Sequence, residues 1–419
     1  MTPRHTAARR ARPARHASRV RRHPIARGAA VAVVAVLAFG VTGAATAWVR
    51  LENNIETHDV TDLLGDDRPE VKTEPVDPTD PNSGRALNIL LMGSDVRDGE
   101  NAALGGANDG MRSDTTIVVH ISADRQRMEL VSIPRDSHVE IPACERSDGS
   151  SSNAKDSRFN EAFSIGAQSG NVADAAACTI RTVESLTGVF IDGWVVVDFA
   201  GFVNMVDALG GIPLCIPNDM SSPKAGLSIT AGNHVLDGHT ALAFARARTG
   251  TGVGDGSDTN RLGRQQQLLG ATANEVLSKN LLTETTALYR FLNAATQSLT
   301  ADPNTGNITS LAGLAFSLRN IPSGNITFMT VPFGAYAADK NQVVWTSEAD
   351  QIWANMAADV PIVTPPVVTP PVVETPAGTT DPATTAPPVT DPVTPPETTE
   401  PPKPGVDPFT PDDVQAVCG

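Results

Sequence analysis

Short apolar runs alternate along the chain with longer stretches in which apolar residues recur at helical spacing. Runs of this length, bounded by glycine, proline and charged residues, predict β-strands. They are Leu87–Met92, Thr116–Ile121, Met128–Ile133, Trp194–Phe199, Ile212–Ile216 and Ile326–Val331. The fourth run shows no polar alternation, which is typical of a strand that is buried on both faces.

The stretches with helical spacing predict helices between and after these strands. They are Arg158–Ile165, Val172–Leu186, Gly201–Leu209, Ala241–Ala245, Leu262–Lys279, Thr285–Leu299, Ile308–Leu318 and Glu348–Ala357. Alternating strands and helices indicate a layered α/β domain. We therefore expect an α-β-α domain with a central mixed β-sheet over residues 86–358.

An uncharged apolar run, Ala29–Trp48, precedes this domain. About twenty apolar residues suffice for a helix to cross a bilayer. Residues 1–50 carry ten arginines and no acidic residue, so the formal net charge of −15 leaves −25 for the remainder. By the positive-inside rule, residues 1–28 are then a basic cytoplasmic tail, residues 29–48 a single transmembrane helix, and the domain is extracytoplasmic.

Two other interpretations of the N-terminus stay open. Ala45-Thr46-Ala47 resembles a signal-peptidase site, which would make the run a cleaved signal peptide, but its length favours an uncleaved anchor. The arginine-rich arm is also compatible with nucleic-acid binding. Its position beside a spanning helix argues against that function, so we expect no nucleic-acid partner.

The segments that flank the domain have the composition of linkers. Residues 49–85 are acidic and contain several prolines, which predicts an unpacked spacer between the membrane and the domain. Seventeen prolines lie between Pro361 and Pro411, mostly among Thr, Val, Asp and Glu. Residues 359–419 are therefore predicted to be a disordered, polyproline-like tail.

The strongest concentration of positive charge in the domain lies around one predicted bend, between Leu236 and Gln266. A short helix leads Arg246 and Arg248 into a glycine-rich turn, and Asp258 is a candidate N-cap for the helix that follows. That helix places three further polar residues on one face: Arg261, Arg264 and Gln265. Four guanidiniums and an amide around one bend favour an anion with several oxygens, such as a pyrophosphate. The alternative is a solvated charged face, although these arginines lack the alternating acidic neighbours of such faces.

Aspartate and arginine also recur beside the predicted strands, at Asp95, Asp114 and Arg135. The motifs G-x-S-x-G, H-E-x-x-H and the P-loop are absent, and the eight histidines are scattered, which argues against a triad or a histidine metal cluster. Arginines that neutralise a phosphate, with a carboxylate that holds Mg²⁺ or orients a hydroxyl, are the requirements of phosphoryl transfer.

Eight segments then resemble, in order, those of the LytR-CpsA-Psr family of bacterial envelope phosphotransferases, over roughly Ala86–Ala358. They are NILLMGSDVR (88–97), RSDTT (112–116), SIPRDSHV (132–139), RFNEAF (158–163), TVESLTGVFIDGWVVVDFAGF (182–202), DALGGI (207–212), LDGHTALAFARAR (236–248) and DTNRLGRQQ (258–266). Two features depart from the family: Arg158 stands where a lysine is frequent, and the loop between Asp95 and Asp114 is long. The tail also replaces the family's C-terminal accessory domain.

The resemblance implies transfer of a glycopolymer from a polyprenyl-pyrophosphate carrier to a peptidoglycan hydroxyl, with a phosphodiester link as product. Two alternatives are a non-catalytic polyprenyl-phosphate-binding protein and a membrane-tethered transcriptional attenuator or regulator. The resemblance implies catalytic roles for Asp95, Asp114, Arg135, Arg246 and Arg248, with Mg²⁺ on the two aspartates. It implies pyrophosphate binding by Arg135, Arg246, Arg248, Arg261 and Gln265, and further site contacts by Arg97, Arg112, Arg158, Asn160 and Arg264.

Four cysteines fit an oxidising compartment. We predict a disulfide between Cys144 and Cys178, which would attach the hydrophilic loop 145–157 to the domain and contribute about 3–4 kcal/mol in the chain-entropy model. Cys215 is interpreted as an ordinary core residue, which leaves Cys418 unpaired or paired with another chain. A Cys215–Cys418 bridge through the tail and four free thiols are the alternatives.

Overall fold

The computed structural model describes residues 24–70, 84–95, 101, 104, 111–254, 256, 258–278, 285–297, 299–319, 321–363 and 402–415. The chain divides into two compact units, residues 1–50 and residues 51–419. Arg97, Cys418 and most of the proline-rich tail lie outside the described residues.

The first unit contains most of helix α1 (Pro24–Asn54). Its stretch Ala32–Asn54 is long and apolar enough to cross a membrane, by length and composition. Large apolar side chains on it, such as Val36 and Phe39, are 71% and 82% exposed. The helix extends beyond the predicted range 29–48 at both ends, since it begins at Pro24 and ends at Asn54 in the second unit.

A seven-stranded mixed sheet organises the second unit, in the order β1-β12-β7-β2-β3-β4-β13. Its strands are β1 (Glu56–Thr57), β2 (Leu87–Ser94), β3 (Ser113–Ile121), β4 (Met128–Ile133), β7 (Gly193–Val197), β12 (Leu299–Ala301) and β13 (Ile326–Thr330). The pairs β2–β7 and β4–β13 are parallel, whereas β2–β3 and β3–β4 are antiparallel. The predicted mixed sheet is confirmed.

Two apolar layers cover the two faces of this sheet. On one face Leu90 and Met92 of β2 are fully buried, because helices α3 (Glu161–Gly166), α4 (Val172–Thr187) and α10 (Ser347–Ala357) pack there. On the other face lie α5 (Phe199–Ala208), α6 (Gly238–Arg246), α7 (Asp258–Ser278), α8 (Thr285–Thr296) and α9 (Ile308–Leu318). The predicted α-β-α layering is confirmed.

Four antiparallel strand pairs lie outside the central sheet. They are β5 (His138–Ile141) with β6 (Lys155–Arg158), β8 (Ile212–Ile216) with β11 (Gly232–Leu236), β9 (Met220–Ser222) with β10 (Leu227–Ile229), and β14 (Phe333–Ala335) with β15 (Val343–Trp345). Two predicted helices were too long. Arg158 pairs with His138 in a strand, and Leu299 pairs with Val197, because strand pairing competes with the helical pattern at these ends.

The expectation of an unpacked spacer was wrong for residues 51–70. Helix α2 (Thr61–Leu64) lies in this segment, and Leu51, Ile55, Val60 and Leu64 are each at most 7% exposed. Arg68 forms a bidentate ion pair with Glu184, with Nη2 2.6 Å from Oε1. The apolar residues interspersed in this acidic segment bury on the domain, and this outweighs the local linker-like composition.

The expected disordered tail also does not extend over residues 402–415, which include helix α11 (Pro411–Gln415). Phe409 and Phe328 exchange two backbone hydrogen bonds at 2.8 and 3.0 Å, and their rings stack at 5.3 Å between centroids. Phe409 and Val414 are 2% and 5% exposed. These apolar side chains bury in the core and bring the segment back onto the domain beside α7.

The structure confirms the predicted Cys144–Cys178 disulfide, whose two residues are each 1% exposed. Cys215 is also disulfide-bonded, so its interpretation as an ordinary, unpaired core cysteine was wrong. The loop after Cys144 has polar attachments as well, since Ser147 donates two hydrogen bonds to Asp174.

Candidate functional site

Three guanidiniums converge on the carboxylate of Asp114, at the start of β3. Arg135 Nη1 lies 2.8 Å from Asp114 Oδ1, and Arg248 Nη2 lies 3.1 Å from Oδ2. Arg261 Nη1 lies 3.5 Å from Oδ2, and its Nη2 donates to the Asp114 backbone carbonyl at 3.1 Å. The sequence separates these residues by up to 147 positions, and the fold brings them to one end of the sheet.

Different elements place the four side chains. Asp114 is the second residue of β3, Arg135 follows the end of β4, Arg248 follows α6, and Arg261 stands in the first turn of α7. The turn between α6 and α7 needs a glycine at Gly250, which has a φ of +139° and whose added Cβ would lie 1.9 Å from the Ser221 carbonyl oxygen. The glycine-rich turn therefore packs against β9 and directs both arginines towards β3.

The electrostatics of the cluster differ from residue to residue. Burial by itself would raise the pKa of Asp114, but the charges of Arg261, Arg135 and Arg248 outweigh it and hold that pKa below its usual value. Burial, together with repulsion from Arg261 and Arg135, lowers the pKa of Arg248 to about 10. The Arg248 side chain is 33% exposed and the Arg261 side chain only 2%. An incoming anion would therefore reach Arg248 and relieve the repulsion that acts on it.

A cavity of about 720 Å³ lies at the opposite end of the sheet. Apolar side chains of β2 and α9 line part of it, and polar side chains line the rest. The apolar side chains are Leu87, Ile89, Leu311 and Leu314, and the charged ones are Arg85, Arg125 and Asp192. Strand β2 runs from Leu87 to Ser94, about 22–24 Å at the usual rise of a strand. The cavity and the arginine cluster are thus separated by roughly the length of β2.

Residues 50–358 match the LytR_cpsA_psr family. The chain therefore belongs to this family. Its match to the family covers α1 from Arg50, the whole sheet and every residue of the arginine cluster.

Individual relatives agree with this membership. The chain is 29% identical over 289 residues to the cell wall biosynthesis protein LcpA of Corynebacterium glutamicum, which covers 64% of this chain and 54% of that protein. It is 32% identical over 247 residues to the polyisoprenyl-teichoic acid–peptidoglycan teichoic acid transferase TagU of Oceanobacillus iheyensis, covering 59% and 67%. The chain thus spans little more than half the length of LcpA.

Among solved structures, the LytR-Csp2A-Psr enzyme from Actinomyces oris shares the fold, with a TM-score of 0.50 and 21% identity. The likeness covers 69% of this chain and 93% of that one. The overlap supports the LytR-CpsA-Psr fold of the second unit.

The other predicted arginines of this family member have different surroundings. Arg264 is 7% exposed, and it donates to the backbone carbonyls of Phe244, Val253 and Ala247. Arg246 donates to the Leu104 carbonyl at 2.6 Å and lies over the Phe199 ring. Arg264 is thus directed into the protein, where it holds the turn that carries Arg248.

Gln265 and the remaining predicted residues border the cluster. Gln265 Nε2 lies 3.4 Å from the Ala245 carbonyl, and its buried Oε1 has no hydrogen-bond partner among the described residues. The Arg112 backbone N–H donates to Asp95 Oδ1 at 2.6 Å, which ties Asp95 to the start of β3. The Asn160 N–H donates to the Arg135 carbonyl, while Arg158 is 38% exposed and 3.5 Å from Asp136.

The sequence analysis missed two acidic partners of the cluster. Asp136 Oδ2 lies 3.2 Å from Arg135 Nε, and Asp258 Oδ1 lies 2.7 Å from Arg261 Nη2. Asp258 is the first residue of α7, so its carboxylate also faces the positive end of the helix. The arginines therefore do have acidic partners: Asp258 is the i,i+3 neighbour of Arg261 on α7, Asp136 adjoins Arg135 in sequence, and Asp114 comes from a different element.

Proposed function

We propose that this family member is an extracytoplasmic phosphotransferase that moves a glycopolymer from a polyprenyl-pyrophosphate carrier to peptidoglycan. The observation that carries the proposal is the convergence of Arg135, Arg248 and Arg261 on Asp114 within 3.5 Å. Guanidiniums bind phosphate oxygens bidentately and stabilise the charge that develops during phosphoryl transfer. The names of LcpA and TagU, a wall biosynthesis protein and a teichoic acid transferase, support the same substrate class.

In the proposed reaction a peptidoglycan hydroxyl oxygen attacks the phosphorus that bears the glycopolymer. The new P–O bond makes a phosphodiester, the P–O bond to the second phosphate breaks, and polyprenyl monophosphate leaves with the electron pair. The arginines bind both phosphates. Because three arginines hold Asp114 as a carboxylate, we assign the hydroxyl proton to Asp95, which is tied to the start of β3 by Arg112.

We also propose Mg²⁺ as the cofactor, held by Asp95 and Asp114. The described residues contain no group of three or more His, Cys, Asp or Glu side chains suited to a metal ion. Two carboxylates with phosphate oxygens from the substrate nevertheless fit the donor set that Mg²⁺ prefers. The ion would neutralise charge on the pyrophosphate when bound.

The cavity supports a polyprenyl carrier as the donor. The apolar part of its lining lies at one end of β2 and the arginine cluster lies at the other, so an elongated molecule with a hydrocarbon chain and a pyrophosphate fits both. The apolar α1 helix supports membrane anchoring, with the N-terminus in the cytoplasm.

The decisive experiment incubates the full-length chain with a polyprenyl-pyrophosphate glycan, peptidoglycan fragments and Mg²⁺. We expect release of polyprenyl monophosphate together with a glycan–peptidoglycan phosphodiester, both detected by mass spectrometry. Asp95→Asn should abolish the Mg²⁺-dependent turnover while lipid binding persists. Tight lipid binding without release of the monophosphate would favour a lipid-binding protein instead.

A further inference from the structure

Helix α9 is apolar on both sides, although one of its sides faces out of the protein. Its sequence, ITSLAGLAFSL, contains no charged residue. Leu311 and Leu314 line the cavity, whereas Ala312, Ala315 and Phe316 are exposed, Phe316 to 64%. Phe316 also lies at the edge of the cavity. The outward face of a helix in a water-soluble protein is normally polar. The exposed apolar face of α9 is therefore expected to contact an apolar partner.

The beginning of α9 contacts the chain where it leaves the apolar N-terminal unit. Leu51, Ile55 and Ile308 are buried in one apolar cluster, and the Ile308 N–H donates to Glu52 Oε2 at 3.3 Å. Leu51 is bonded directly to Arg50, the last residue of the N-terminal unit. If α1 spans the membrane, α9 therefore begins within a few residues of the point where the chain emerges from the bilayer.

The charges around the exposed face match a bilayer surface. The Arg319 guanidinium lies 3.4 Å from the centre of the Phe316 ring. Arg125 and the Arg85–Asp192 ion pair line the cavity, so the charged lining carries one more positive than negative group. A cation beside an apolar side chain is the arrangement that places the charge among phosphate headgroups while the apolar part enters the acyl region. Arginine near a membrane surface is also attracted to anionic lipids.

We infer that α9 is an interfacial helix, which lies in the outer surface of the bilayer with Phe316 below the headgroups. The cavity edge then opens towards the membrane, so a polyprenyl chain enters from the lipid phase without crossing water. This inference rests on the proposed membrane anchoring and carrier. It adds that phospholipid binds one further surface, which is formed by Ala312, Ala315, Phe316 and Arg319.

The test measures how deeply α9 lies in lipid. The full-length chain is placed in nanodiscs at one copy per disc, and a single cysteine is introduced by Phe316→Cys, Val36→Cys or Lys340→Cys and spin-labelled. The cysteines that the structure describes are disulfide-bonded, and labelling of the unmodified chain under the same conditions gives the background from any other thiol. Lys340 is the control, because it is exposed beside Asp339, which pairs with Arg158 near the arginine cluster.

Accessibility to oxygen and to a water-soluble nickel chelate gives the depth of each label. We expect position 316 at about 5–10 Å below the headgroup boundary, as for other interfacial helices. Position 36 should lie in the acyl core and position 340 in water. A repeat with Ala315→Cys guards against an effect of losing the phenyl ring.

The outcomes separate the inference from the proposals on which it rests. Labels at 316 and 315 in water with the label at 36 in lipid overturn the interfacial helix but leave the anchor intact. A label at 36 in water removes the anchor, and the inference falls with it. A second preparation holds two copies per disc. Protection of position 316 there, but not at one copy per disc, shows that a second chain covers α9, which also overturns the inference. The depth measurement does not use turnover. Failure of the proposed reaction would therefore appear only in the separate turnover assay and would leave the depth result unchanged.

Discussion

The two ends of the central sheet differ in almost every physical property. At one end, Arg135, Arg248 and Arg261 share a single carboxylate, and burial and like charge lower the pKa of Arg248 to about 10. At the other end, a cavity of about 720 Å³ is lined by aliphatic side chains of β2 and α9 together with polar side chains, and the uncharged helix α9 forms one of its walls. The charged end is suited to a phosphate, and the apolar end is suited to a hydrocarbon chain.

The difference shows where stability and function reside in this fold. Apolar burial stabilises a fold whatever the precise orientation of the side chains. Converging like charges oppose folding unless a ligand or an acidic partner offsets their repulsion. A bound anion would therefore reduce the repulsion between the arginines at the charged end.

The largest effect is expected from removal of Arg248 at the charged end. Arg248→Ala should lower kcat/KM about 10²–10³-fold, as does the loss of one donor that stabilises transition-state charge. Arg248→Lys should recover little, because an ammonium cannot donate two parallel hydrogen bonds. The measurement is phosphodiester formation by the full-length chain.

The matched control for Arg248 is Arg290→Ala, an exposed arginine on α8. Its turnover should equal that of the unmodified protein. Equal turnover in Arg248→Ala would remove Arg248 from the proposed clamp.

The next effect is on stability, at a neighbouring arginine that faces inwards. Arg264→Ala leaves the carbonyls of Phe244, Val253 and Ala247 without their guanidinium donor. Each buried carbonyl that is left unpaired costs about 1–3 kcal/mol. We therefore expect a clear fall in the free energy of unfolding, measured in urea, whereas Arg248→Ala should change it much less. The reverse ranking would show that Arg248 holds the fold and Arg264 does not.

The sequence predicted much of this charged end. The arginines around the bend and Asp114 could be recognised because both belong to compact local motifs, and the fold groups two of the bend arginines, Arg248 and Arg261, with Arg135 on Asp114. Arg264 shows the limit of helical spacing. It lies on the same turn as Arg261, but the packing of the glycine-rich turn directs its guanidinium to backbone carbonyls, which periodicity cannot indicate.

The apolar end and the chain termini could not be predicted, because they depend on distant contacts. Leu87 and Leu314 line the same cavity only after α9 has packed across the end of the sheet. Asp258 also lies 3.5 Å from Arg135, a contact between different elements that the sequence does not indicate. Phe409 lies beyond a proline-rich segment, and the composition of that segment does not indicate the buried, strand-like contact between Phe409 and Phe328.

A smaller effect is expected at the apolar end. Leu311→Trp should partly fill the cavity without touching the arginines, and thus lower affinity for a long-chain polyprenyl pyrophosphate about tenfold, or about 1.4 kcal/mol. Binding of a short-chain, water-soluble analogue should stay unchanged. Calorimetry with both ligands makes the comparison, and Arg248→Ala should weaken both. Equal loss of the two ligands in Leu311→Trp would mean that the cavity does not hold the chain.

The smallest effect is a pH dependence at Asp114. Its pKa is lower in the folded protein than in the unfolded chain, so the carboxylate contributes stability above the unfolded pKa of about 3.9 and loses that contribution as pH falls through the folded pKa. Asp114→Asn lacks this carboxylate, so its stability does not include that pH-dependent contribution. The difference in unfolding free energy between the unmodified protein and Asp114→Asn should therefore be constant near neutral pH and shrink below about pH 4. Asp350→Asn, on the exposed side of α10, is the control for a general loss of negative charge. A difference for Asp114→Asn that stays the same down to pH 3 or so would mean that the three arginines do not hold this carboxylate in solution.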